Sequence, residues 1–109
     1  MKKELIVIKK SADAGCLIEY SLITDICRNE KNVYAVYGVN IDTVRNGIVT
    51  ANESVRDISC VKKRVEDFIF YISENEVMPG TLGDIVSDIF EEYGELKCPE
   101  RKKEFKKVV

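Results

Sequence analysis

Two stretches of this chain carry apolar side chains at every second position, and no other feature of the sequence limits the fold as strongly. Across residues 16–27 the positions Cys16, Ile18, Tyr20, Leu22 and Ile26 are mainly apolar while Glu19, Ser21 and Asp25 alternate with them. Across residues 33–41, Val33, Ala35, Tyr37, Val39 and Ile41 repeat the pattern. A period of two is that of a half-buried strand. The polar stretch RNEKN, residues 28–32, joins the two strands into a hairpin.

Further elements follow on each side. Leu5 to Ile8 is a short apolar run that predicts a first strand, ended by the loop SADAG at residues 11–15. Asn46 and Gly47 both tolerate positive φ and signal a turn, after which IVTANESV, residues 48–55, predicts a fourth strand. The alternation loses its phase across DTVRNG, which leaves a longer loop or a bulge open at that point. From residue 60 to 74 the period changes: Val61, Val65, Phe68, Ile69 and Ile72 fall on one side of a helix that Ser59 is placed to cap. NEVMPG, residues 75–80, breaks the chain. Thr81 with Asp84 approximates a capping box opening a second helix, which Gly94 closes. The order predicts an α+β domain over residues 1–94: an antiparallel meander of three to four strands followed by two C-terminal helices packed on one sheet face. Residues 95–109 form a basic C-terminal tail.

A chain of 109 residues fits one domain, and 45% hydrophobic with 33% charged residues is a globular composition. The longest fully apolar run is five residues, 68 to 72, far below the roughly 20 that a membrane-spanning helix needs. At the N-terminus, Lys9 and Lys10 cut off the apolar segment before it reaches the length of a secretory signal. The expected location is the cytoplasm, without membrane attachment. The four cysteines, 16, 27, 60 and 98, include no C-x-x-C pair, and there is no histidine, so neither a metal site nor a cofactor is expected. Cys98, with Lys97 and Arg101 nearby, is the candidate reactive thiol.

Asp84, Asp88, Glu91 and Glu92 crowd the second predicted helix. On a helical wheel Asp84, Asp88 and Glu91 project away from the apolar side, so they form a wet face and do not converge as metal ligands must. Glu91 and Glu92 would stand in the last turn, where the helix dipole disfavours negative charge. The basic tail, notably Arg101, Lys102 and Lys103, is expected to fold back onto this face or to meet it on a second subunit. Nucleophile motifs and glycine-rich phosphate cradles are absent from the sequence. Tyr20, Tyr34 and Tyr37 could stack on bases, but the acidic body would repel phosphates, so nucleic acid is disfavoured as a partner. Phe70 points away from the apolar stripe of its helix into Lys63, Glu66, Asp67 and Glu74, as an interface anchor does. Tyr34, Val36 and Gly38 lie on the sheet side that the helices leave open, and Tyr34 and Val36 join Phe70 as interface candidates.

The segments YSLITDI, VYAVYGVNI, the DIS before the first helix and GDIVSDIF together resemble a family of short, uncharacterised proteins of clostridial-type bacteria, over roughly residues 5 to 91. That resemblance implies no activity and no catalytic residue. The favoured expectation is a non-enzymatic protein-interaction module that forms a homodimer. The alternative is a small-ligand sensor or enzyme with a pocket assembled from scattered residues such as Tyr20, Tyr37, Asp25 and Arg45.

Overall fold

The computed structural model describes residues 1–11, 15–28 and 30–91, the side chain of Glu91 excepted. Four strands, β1 (Lys2–Lys10), β2 (Cys16–Arg28), β3 (Val33–Arg45) and β4 (Ile48–Ser59), form one sheet in the order β1-β2-β3-β4. Each neighbouring pair is antiparallel, so the sheet is a meander. Helix α1 (Lys62–Glu74) and the short helix α2 (Leu82–Val86) follow, and α2 runs on into a π-helical turn, Ser87–Glu91. The α+β meander with two C-terminal helices is therefore the fold that the periodicity predicts.

The alternation of β2 and β3 decides which face carries the core. Their register pairs Ile18 with Thr43, Tyr20 with Ile41 and Leu22 with Val39. Ile18, Tyr20, Leu22, Val39 and Ile41 project to one side, where they join Val65, Phe68, Ile69 and Ile72 of α1, together with Leu82 and Phe90. Fully burying one such aliphatic or aromatic side chain is worth about 1.5–3 kcal/mol, so the stripe on α1 alone anchors that helix. Phe68 and Phe90 meet edge to face with ring centroids 5.2 Å apart, joining α1 to the π-helical turn. Tyr20 is completely buried and donates its hydroxyl to the Val77 carbonyl at 2.9 Å, which ties the segment between the helices to the sheet. Burial, with help from the charge of Glu76, pushes the Tyr20 phenol up to about 12, so it keeps its proton and remains a donor.

β1 and β3 run longer than expected, over Lys2–Lys10 and Val33–Arg45, and three further differences have a tertiary reason. β4 extends to Ser59, not to residue 55. Its register against β3 shifts between Tyr37, which pairs with Ser59, and Val39, which pairs with Val55. A bulge therefore falls at residues 56–58, and Asp57 within it has φ 61°. The bulge sits on Gly38, where a Cβ would lie 2.8 Å from the Arg56 Cα and closer still to the Val55 carbonyl oxygen. Only glycine leaves room there. Next, α1 starts at Lys62 with Val61 as its N-cap, and Ser59 instead closes a turn by accepting the Val61 N–H at 3.0 Å.

The third difference concerns α2. Thr81 is already in the α region and its hydroxyl donates back to the Met78 carbonyl at 3.2 Å, so the capping box with Asp84 does not form. The cap comes from the sheet. Glu53 of β4 accepts the N–H groups of Gly80 at 2.6 Å, Leu82 at 2.9 Å and Gly83 at 3.0 Å. Burial alone would push the Glu53 carboxyl up, but these three N–H bonds outweigh it and hold the group below the usual carboxylate range. A helix of five residues cannot nucleate alone, and this carboxylate holds its N-terminal N–H groups on the edge strand.

Candidate functional site

Two surfaces of the domain carry chemistry that the fold itself does not consume. The first is the outer side of α1. The helix turns its apolar stripe to the sheet, and the residues left outside include two consecutive aromatics, Phe70 at 49% and Tyr71 at 52% exposure. Lys63 and Asp67, one turn apart and bonded at 3.1 Å, lie beside them. The end of the helix is fixed by Asn75, whose side chain donates to the Tyr71 carbonyl at 2.8 Å. Tyr71 also lines a groove of about 480 Å³ between α1 and the π-helical turn, together with Arg64, Asp67, Phe68, Ile89 and Phe90. The Arg64 guanidinium lies 5.8 Å from the centre of the Phe90 ring, within reach of a cation–π contact. The groove is thus apolar at its floor and charged at its rim.

The second surface is the sheet face away from the helices. Its centre is a hydrogen-bonded polar cluster. Asn40 donates to Asp42 at 3.1 Å, Asn52 donates to both Asn40 and Asp42, and Ser54 donates to Asn40. Lys3 of the edge strand approaches Asp42 at 3.6 Å. Further along the same face Arg56 grips Asp25 through two hydrogen bonds, 2.9 Å from Nε and 2.6 Å from the terminal nitrogen, with β3 lying between the two residues in the sheet. These bonds hold the Asp25 carboxyl below its ordinary range. Nothing in a period-two pattern distinguishes such a cluster from an ordinary wet face; the sequence signal was only the run of Asn, Ser and Asp on facing strands.

The predicted candidates fall into three groups. Phe70 stands exposed on α1 as its helical position requires, and Tyr34 is half-buried. Val36 corrects expectation: only 1% of it is exposed, next to the strand pair Asp25–Val36 over which Arg56 reaches, so it offers no surface. Glu92, Cys98, Arg101, Lys102 and Lys103 lie outside the described residues, as does the side chain of Glu91.

The scattered pocket does not assemble. Tyr20 lies in the core under the helices, whereas Asp25 lies on the opposite face and is already bonded to Arg56. Tyr37 and Arg45 are eight positions apart on one strand, which separates them by about 26 Å at 3.3 Å per residue. No group of three or more cysteine, aspartate and glutamate side chains is placed to hold a metal ion among the described residues. Among them, too, no helix is long and apolar enough to cross a membrane.

The architecture defines a small α+β meander domain whose helices cover a single sheet face and whose exposed aromatics lie on the outside of the longer helix. The chain belongs to a family of unknown function, DUF6514, whose model matches residues 1–92. No curated protein and no solved structure matches it.

Proposed function

We propose that this domain is a non-enzymatic interaction module that acts as a homodimer and binds a further protein, in the cytoplasm of a clostridial-type bacterium. The observation that carries the reading is the exposure of Phe70 at 49% beside Tyr71 at 52% on the outer side of α1. Aromatic side chains bring large apolar area to a contact at low entropic cost, which is why they dominate the energetic centres of interfaces. Here they stand on a rigid element, since the opposite side of α1 is locked into the core by Val65, Phe68, Ile69 and Ile72. A symmetric contact of α1 with α1 of a second copy would stack the same residues across a two-fold axis. The neighbouring Lys63 and Asp67 supply opposite charges for the rim of such a contact.

Sedimentation velocity of the full chain at micromolar concentration tests this. A dimer that Phe70→Glu converts to monomer, with thermal stability unchanged, is the expected result. A wild-type chain that stays monomeric across the concentration range would overturn the dimer.

A further inference from the structure

We propose that residues 92–109 of the same chain occupy the groove between α1 and the π-helical turn, docking in cis. The groove lies at the point where this segment leaves the domain: Ile89 and Phe90, which line it, precede residue 92 by only two or three positions. A tethered segment that begins at the mouth of its own site competes at an effective concentration in the millimolar range, before any contact is optimised. Length is no obstacle. Eighteen residues reach about 60 Å when extended, whereas α1 with its 13 residues is about 20 Å long.

The chemistry of the two partners matches. The segment intersperses Leu96, Phe105, Val108 and Val109 with Lys97, Arg101, Lys102, Lys103, Lys106 and Lys107. The groove offers apolar surface from Phe68, Tyr71, Ile89 and Phe90. Asp67, which also binds Lys63, stands on its rim with Arg64, and Asp84 and Asp88 are exposed on the neighbouring α2 and π-helical turn. An apolar side chain such as Phe105 fills the floor while lysines and arginines meet these carboxylates. The family match ends at residue 92, so all of this occupant but its first residue belongs to the part of the chain that the family model does not cover. Tyr71 borders both surfaces but Phe70 is not among the lining residues, so Phe70→Glu tests the dimer and Phe105→Ser the docked segment separately.

Backbone ¹⁵N relaxation on the full chain tests the assignment. The expected result is order parameters for residues 96–108 close to the rigid limit of about 0.85, falling below about 0.6 in both Phe105→Ser and Tyr71→Ser. Tyr71→Ser is chosen because the side chain is half exposed and its loss leaves the core intact. Phe105→Ser, distant from the groove in sequence, should also shift the amide resonances of Asp67, Tyr71 and Ile89 in the full chain. Order parameters below about 0.6 in the unmodified chain would overturn the proposal. So would ordering that appears only as concentration rises, because the occupant would then be a second copy.

Discussion

Asn40 and Ile41 are neighbours on β3 that point to opposite faces of the sheet, and they are almost equally inaccessible, at 3% and 0% exposure. They are hidden in different ways. Ile41 lies beneath the helices in a continuous apolar core. Asn40 has no helix above it among the described residues and is held by the side chains of its own sheet, through hydrogen bonds with Asp42, Asn52 and Ser54. A layer of helix excludes water from everything beneath it and rewards apolar residues. A mesh of side chains lying flat closes a face only where donors and acceptors match one to one, because an unpaired buried polar group is costly. The two faces therefore tolerate different changes.

The largest effect belongs to the helix-covered face. Ile41→Ala removes a fully buried side chain from the centre of that core and should cost about 2–5 kcal/mol in urea unfolding. A cost below about 1 kcal/mol would mean that the helices do not hold this face as a packed layer. Gly38→Ala probes the open face, where the added methyl meets the β4 backbone at Val55 and Arg56. It should cost about 1–3 kcal/mol, the usual penalty of overpacking, although it adds only one carbon. If it were neutral, the bulge would be free to move off Gly38 and the open face would be softer than the geometry implies.

Glu53→Gln tests the link between the sheet and α2, with an expected cost of about 0.5–2 kcal/mol, the range for losing a helix cap. Its sign with pH follows from the lowered folded pKa. The charged carboxylate contributes fully above the ordinary glutamate value of about 4.3, and its contribution is lost as pH falls through the lower value of the folded state. The stability difference between the wild type and Glu53→Gln is therefore widest near neutral pH and closes in acid. A difference that persisted unchanged at low pH would show that charge is not what the three N–H groups recognise.

β2, β3 and α1 were legible because each presents a mainly apolar side to the core and a more polar side away from it, so the period identifies them. Ile18, Tyr20, Leu22, Val39 and Ile41 reach the core just where the alternation puts them. The end of β4 was not legible, because a bulge changes the phase of the pattern and makes residues 56–59 read as a loop. The same bulge explains Val36: alternation assigns it to the open face correctly but carries no information about Arg56 reaching across that face. The cap of α2 was out of reach for a related reason. Thr81 and Asp84 have the local spacing of a capping box, yet the competing acceptor, Glu53, is 27 residues upstream of Gly80 and is brought there only by the packing of α2 on the sheet edge. Of the candidate surface, Phe70 was visible from helical spacing. Tyr71 and the groove were not, since the groove exists only once the π-helical turn packs against α1.

The reach of Glu53 also orders events in time. α2 has five residues and receives its cap from a strand 27 to 30 positions earlier in the chain, so that cap is missing until β4 is in its place in the sheet. A segment whose partner is so distant in the chain is expected to join late, and interactions formed after the rate-limiting barrier govern how fast a protein comes apart more than how fast it forms. The stability that Glu53 contributes is accordingly kinetic in character: in Glu53→Gln the unfolding rate should rise while the folding rate stays near that of the wild type.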